Sequence, residues 1–145
     1  MGWNYMFIGE FNCKMDTKGR ITFPSKFREQ LTDGFVITRG LDNCVDLFTL
    51  EKWKEQLAKL EKINFTKDVH RKYLRFLLSA ATELQFDAQG RINIPQALIE
   101  HSKMVKDIVV TGNNDRIEIW SKDVWDKYLS DNLENINELV NEIDF

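Results

Sequence analysis

The sequence predicts a mixed α+β protein in which two tandem, interlocked, strand-rich copies of one unit form an intrachain pseudo-dimer with peripheral helices. Three observations predict it. First, Asp16-Thr-Lys-Gly-Arg20-Ile-Thr-Phe-Pro24 returns 71 residues later as Asp87-Ala-Gln-Gly-Arg91-Ile-Asn-Ile-Pro95. Second, the echo continues downstream, Val36-Ile37-Thr38 answered by Val109-Val110-Thr111, Leu47-Phe48 by Ile119-Trp120, and Trp53 by Trp125. Third, short alternating runs bounded by Gly, Asn and Asp read as strands, whereas apolar residues at helical spacing close each unit.

Each copy reads in the same order. A short strand, Phe7–Phe11 or Thr82–Phe86, leads to a tight turn. Asp at the turn entrance can accept bonds from nearby backbone amides, and Gly19 or Gly90 supplies positive φ at little cost. In the next strand Ile21 and Phe23, or Ile92 and Ile94, point to one face. Pro24 or Pro95 then opens a short helix, where a missing N–H is tolerated. A hairpin follows, Phe35–Thr38 with Val45–Thr49, and its counterpart Ile108–Thr111 with Ile117–Trp120. Leu50–Lys62 is an amphipathic helix with Trp53, Leu57 and Leu60 on one stripe, and Ser121 caps a matching segment with Val124, Trp125 and Tyr128. Asn64–Thr66 marks the joint between copies. Asp68–Leu78 reads as a helix with Val69, Tyr73, Phe76 and Leu77 inward and His70, Arg71, Lys72 and Arg75 outward. The acidic tail keeps Leu133, Ile136, Val140 and Ile143 at helical spacing and is expected to pack against the body or a neighbour. Trp53, Trp120 and Trp125 read as core. The expected domains are an N-terminal extension (1–5, containing the unmatched Trp3), repeat 1 (6–65), a linking helix with repeat 2 (66–129), and a C-terminal helical tail (130–145).

At 145 residues, with 43% hydrophobic and 30% charged content, the chain can bury a real core. No apolar run approaches the roughly 20 residues of a membrane span, and the N-terminus does not read as a secretory signal. Cys13 and Cys44 read as reduced structural thiols, since the partner thiols or histidines of a metal site are missing. No cofactor motif is present, so no cofactor is expected. The net charge of −3 hides a polarity: residues 1–75 carry 14 Lys+Arg against 10 Asp+Glu, and residues 76–145 carry 6 against 13. An acidic partner should therefore meet the first half.

The turn Asp16-x-Lys18-Gly19-Arg20 with Ile21 and Pro24 resembles the MraZ family, within the AbrB-like swapped-hairpin regulators. The match runs from Met6-Phe7-Ile8-Gly9-Glu10 through Pro24-Ser25-Lys26-Phe27-Arg28 to Val36-Ile37-Thr38-Arg39-Gly40. It resumes at Ser79-Ala80-Ala81-Thr82-Glu83, continues through the second Asp-x-x-Gly-Arg turn, and ends on Ile117-Glu118-Ile119-Trp120. That is about 120 residues in the right order. The resemblance implies two AbrB-like repeats in one chain, assembly into rings, and a place in the cytoplasm on the nucleoid. It also implies sequence-specific regulation of the bacterial division and cell-wall gene cluster, including the regulator's own gene, by binding short repeated boxes in double-stranded DNA. The DNA-facing motif maps onto Asp16, Lys18, Gly19 and Arg20, and onto Asp87, Gly90 and Arg91. Two departures stand out: members usually begin where Met6 stands, and Cys13-Lys14-Met15 replaces the commoner polar-Leu strand ending.

The copies differ in charge. Repeat 1 places Lys14, Lys18, Arg20, Lys26 and Arg28 around its turn, where repeat 2 has Gln85, Gln89, Arg91, Ala97 and Ile99. Cations absent from one copy are dispensable to the fold, so Lys14, Lys18, Lys26 and Arg28 are expected on DNA phosphates, with a solvated face as the rival reading. Arg20 can read guanine O6 and N7 with its fork, or brace the turn against Asp16. For Arg91, bracing, assembly and DNA contact all stand open, and the two turns are expected to be unequal. The His70-Arg71-Lys72-x-x-Arg75 face reads as subunit contact, solvation or groove entry. Two rival functions stand beside the regulator. An enzyme lacks support, because neither His70 nor His101 sits in a motif with a nucleophile and no Gly-rich phosphate loop is present. An AbrB-like adaptor or antitoxin-type module fits the acidic second half.

Overall fold

In a computed structural model that describes residues 6–145, the two copies are interlocked; Met1–Tyr5, with Trp3 and the expected extension, lie outside the described residues. Repeat 1 contributes β1 (Glu10–Lys14), β2 (Arg20–Thr22), α1 (Ser25–Arg28), β3 (Phe35–Arg39), β4 (Val45–Thr49) and α2 (Leu50–Leu60). Helix α3 (Asp68–Leu78) leads to β5 (Thr82–Leu84), β6 (Arg91–Asn93), α4 (Gln96–Ser102), β7 (Asp107–Asn113), β8 (Arg116–Ser121), α5 (Lys122–Leu133) and α6 (Ile136–Asn141).

Strand pairing shows the exchange. The main sheet runs β1-β7-β8-β4-β3-β5, so the first strand of each repeat pairs with the hairpin of the other. β1 lies antiparallel on β7 with Phe11 opposite Val110, and β5 lies on β3 with Glu83 opposite Val36. The hairpins meet at β4 and β8, where Asp46 faces Glu118. A second, two-stranded sheet joins β2 to β6 with Ile21 opposite Ile92. A pseudo-twofold axis therefore passes between Ile21 and Ile92 and on between β4 and β8.

The alternating pattern explains this packing. Ile21, Phe23, Ile92 and Ile94, all at most 2% exposed, share one core with Phe27, Leu98 and the inward residues of both hairpins. Phe27 on α1 meets Phe7 and Phe11 edge-on, with ring centroids 5.7 and 5.1 Å apart. Smaller clusters form where α2 meets α3, around Leu60, Leu74 and Leu77, and where α5 meets Trp120.

Several expectations are corrected. β1 runs from Glu10, not Phe7, because Gly9 at φ +101° turns the chain; Phe7 keeps only an isolated bridge to Asn114. Pro24 and Pro95 stand at the N-cap, one position before the first helical turn. Thr49 caps α2 by accepting the Lys52 amide at 3.1 Å, whereas the Ser121 hydroxyl makes no cap bond. On α3 the buried residues are Leu74 and Leu77, with Val69 and Tyr73 facing outward; the helix needs only a narrow stripe against α2. Trp120 is buried, but Trp53 and Trp125 are half-buried, and Trp125 donates to Glu10 at 2.8 Å. The tail is helical at α6, yet Leu133, Ile136, Val140 and Ile143 are exposed and do not pack on the body.

Candidate nucleic-acid interface

The two turns are built alike. In the first, Asp16 Oδ1 accepts the amides of Lys18 and Arg20, both at 2.9 Å, and Asp16 Oδ2 accepts Arg20 Nε at 2.7 Å. In the second, Asp87 Oδ1 accepts the amides of Gln89 and Arg91 at 2.9 Å, and Oδ2 accepts Arg91 Nε at 2.8 Å. Gly19 and Gly90 close the turns at φ +79° and +75°, donating to the carbonyls of Asp16 and Asp87. The Arg20 amide, then its side chain and the Lys18 amide, hold the Asp16 carboxyl below its ordinary range; the Arg91 amide leads the same effect on Asp87. Each aspartate therefore stays charged and braces its arginine. Because bracing uses only Nε, the terminal nitrogens of Arg20 and Arg91 make no bond among the described residues. Those side chains are 30% and 27% exposed. Both arginines are thus braced and still partly exposed.

The turns also lock the repeats to each other. Phe23 donates to the Gly90 carbonyl at 3.0 Å and Ile94 to the Gly19 carbonyl at 2.9 Å. As a result, each short helix packs on the turn of the other repeat. Ile99 of α4 lies over Gly19, its Cδ1 3.4 Å from where a Cβ would stand. Arg28 of α1 lies over Gly90, its guanidinium filling the space that a Cβ would need.

This geometry corrects the expectation that five cations surround the first turn. Lys18 is there, sharing a surface with Asn93, Pro95 and Gln96, and so is Arg20, opposite Asn93 in the small sheet. Arg28 is on the second turn with Arg91. Lys14 and Lys26 face an open groove of about 820 Å³ floored by Phe11, Phe23 and Ile108, joined there by Lys122 of α5. The cations form three groups, and repetition alone does not reveal that the exchange separates them. Sequence reasoning misses Lys122, because its position in the second copy's helix carries no motif signal.

Away from this face, a polar centre sits on the pseudo-axis. Cys44, Asp46 and Glu118 place their ligand atoms within 4.8 Å of one another, the one such group among the described residues. Arg116 offsets part of its charge, with Nε 3.7 Å from Asp46 and Nη2 3.5 Å from Glu118. Burial pushes the Asp46 carboxyl up to about 6, with Arg116 opposing and Glu118 adding to the shift. Burial likewise pushes the Cys44 thiol up, and the Cys13 thiol to about 11, so both free cysteines are protonated. His70 Nδ1 accepts the Asn64 amide at 3.0 Å, and His101 Nε2 lies 2.8 Å from the Gly40 carbonyl. Both histidines serve the structure. No helix is long and apolar enough to cross a membrane among the described residues.

Comparisons with known proteins agree with this architecture. The family model described as "MraZ protein, putative antitoxin-like" matches twice, over residues 6–76 and 77–143. A protein of Ligilactobacillus salivarius (strain UCC118) named "Transcriptional regulator MraZ" is 47% identical over 141 residues, covering 97% of this chain and 99% of the relative. Relatives with the same name from Alkaliphilus metalliredigens (strain QYMF) and Thermoanaerobacter sp. (strain X514) are 44% and 43% identical over 139 residues. Each of these covers 96% of the chain and 97% of the relative.

Proposed function

The chain belongs to the MraZ family, and on that premise we propose that it is a sequence-specific DNA-binding regulator of its own operon, the bacterial division and cell-wall gene cluster. It acts in the cytoplasm, on the nucleoid, and binds short direct repeats without any cofactor, metal or catalytic step. The observation that carries this reading is the Asp-braced turn. Asp16 fixes Arg20 through Nε and leaves the two terminal nitrogens of a partly exposed side chain without a partner among the described residues, a pair of donors that can match guanine O6 and N7. The same fork is repeated at Arg91. Lys18 stands beside the first turn, and Lys14 and Lys26 share a groove from which they can follow the phosphate backbone. Asp16, Gly19, Asp87 and Gly90 shape the two turns of this DNA-facing motif and position these cations.

A single pseudo-dimer offers few DNA-facing groups, so affinity comes from several copies. A homo-oligomeric ring would present turns to successive direct repeats about one helical turn, roughly 10 base pairs, apart. The exposed apolar residues Leu133 of α5, Ile136 and Val140 of α6, and Ile143 beyond it supply surface for subunit contact. They equally favour the second reading, an adaptor or antitoxin-type module that binds protein through its acidic half.

Fluorescence anisotropy on the fragment upstream of the gene, against a shuffled fragment over a salt series, separates the two. A regulator prefers the native fragment in the presence of competitor DNA. Lys18→Gln with Lys26→Gln then lowers the salt slope by roughly 0.9 for each phosphate no longer neutralised. Equal, weak binding that vanishes at modest salt would reject the regulator and leave the adaptor.

A further inference from the structure

The second turn lacks the lysine of the first, since Gln89 stands where Lys18 does, yet it is not short of charge. The strand exchange delivers Arg28 to it from repeat 1. The guanidinium lies against the Gly90 backbone, which has room only because Gly90 carries no side chain. Arg28 Nε is buried there without a hydrogen-bond partner among the described residues. A buried donor without an acceptor is costly, and the turn's own carboxylate makes no bond to it: Asp87 accepts from Gln89 and Arg91. At the pseudo-equivalent place over the first turn stands Ile99, whose apolar contact serves packing alone. The fold at this position is thus satisfied by an aliphatic residue, and Arg28 brings something more. After the exchange each turn holds two cations, Lys18 with Arg20 and Arg28 with Arg91.

We propose that Arg28 completes the turn of repeat 2 as a second DNA-phosphate site, in which Arg28, delivered in trans from repeat 1, takes a backbone phosphate of its own beside the Arg91 fork. The ligand class is a phosphodiester, and the proposal rests on the regulator reading above. It replaces the sequence-based expectation of one strong and one weak turn with two turns of matched charge but different chemistry. The first couples a flexible lysine to its arginine. The second brings a planar guanidinium from the other repeat to the turn that holds Arg91, a group suited to bidentate phosphate contact.

The test uses the full chain and the DNA fragment upstream of its gene. Arg28→Ile installs the residue that the other copy uses and should leave the melting temperature within a few degrees. It should lower the slope of log K against log salt by about 0.9 for each engaged copy, a weakening of roughly fivefold per phosphate at 0.15 M salt. Adding Gln89→Lys to Arg28→Ile returns a cation to the turn from its own repeat and should restore the slope. Native slope and affinity in Arg28→Ile, while Lys18→Gln loses both, would overturn the second site and leave the regulator standing. Failure of the unaltered protein to bind either native or shuffled DNA would overturn both. If Arg28→Ile melts early, Gln89→Lys alone decides the matter. It should steepen the slope by about the same amount if the turn meets phosphate, and an unchanged slope rejects the proposal.

Discussion

Among single residues, Asp46 separates electrostatics from architecture most cleanly. Its carboxyl is only 15% exposed and faces Glu118 across β4 and β8. Arg116 at 3.7 Å, the Cys44 thiol at 3.8 Å and the Asp42 charge complete its surroundings. Burial raises its pKa from 3.8 to about 6. Between those values the folded protein holds a proton that the unfolded chain has released. Stability therefore falls as pH rises from about 4 to 6 and levels off above, a loss on the order of 2–3 kcal/mol from this group. Asp16 and Asp87 act in the opposite sense. Their pKa values are lowered, so their contribution is present above the ordinary carboxylate range and is lost in acid below it. Asp46→Asn should remove the loss between pH 4 and 6, so that the variant gains on the parent as pH rises. Thermal melts of both proteins from pH 4.5 to 7.5 measure this, and curves separated by a constant offset would reject it. This residue was not legible in the sequence, because periodicity marks Asp46 only as a polar position in a strand. Its opposition to Glu118 depends on how the two hairpins meet.

At the scale of elements, the turns were the most legible part of the chain. Asp, Gly and Arg at fixed spacing specify a side-chain-to-backbone turn by local chemistry alone, and both turns form as read. The partner of each turn was not legible, since a helix that follows its own strand reads the same whether it packs at home or across the pseudo-axis. The glycines expose the difference. Gly19→Ala and Gly90→Ala each force an alanine into left-handed backbone, at about 1 kcal/mol, which is a few degrees in melting temperature for a chain of this size. At Gly19 the new methyl meets Asn93 and Ile99 at an ordinary 3.4 Å. At Gly90 it displaces the flexible end of Arg28. The two variants should therefore melt alike, yet only Gly90→Ala should lower the salt slope of DNA binding. A parallel melting and binding series on both proteins decides it; equal slopes would remove Arg28 from the interface.

For the whole molecule, the exchange determines what can fold alone. Among the described residues the strand pairings of β1 with β7, β5 with β3 and β2 with β6 all run between the repeats, so a cut between the repeats severs every one of them. The main core likewise draws Phe27 and Ile21 from one copy and Ile92, Leu98 and Ile108 from the other. The Asn64–Thr66 joint is exposed and is the natural place to divide the chain. A fragment of residues 6–65 therefore exposes two unpaired strands and half a core, and as a monomer should lack native circular dichroism. Mixed with residues 66–145, it should form a 1:1 complex that melts in one transition. A monomeric 6–65 fragment with a cooperative melt of its own would contradict the interlocked fold. The fragment has one other way to bury its core, which is to pair with a second copy of itself. In that dimer the exchange would lay Arg28 on a turn that also holds Lys18 and Arg20, at both ends of the pseudo-axis. Each turn would then carry three cations where the intact chain has two, so binding of the self-paired fragment to shuffled DNA should depend more steeply on salt than that of the intact protein.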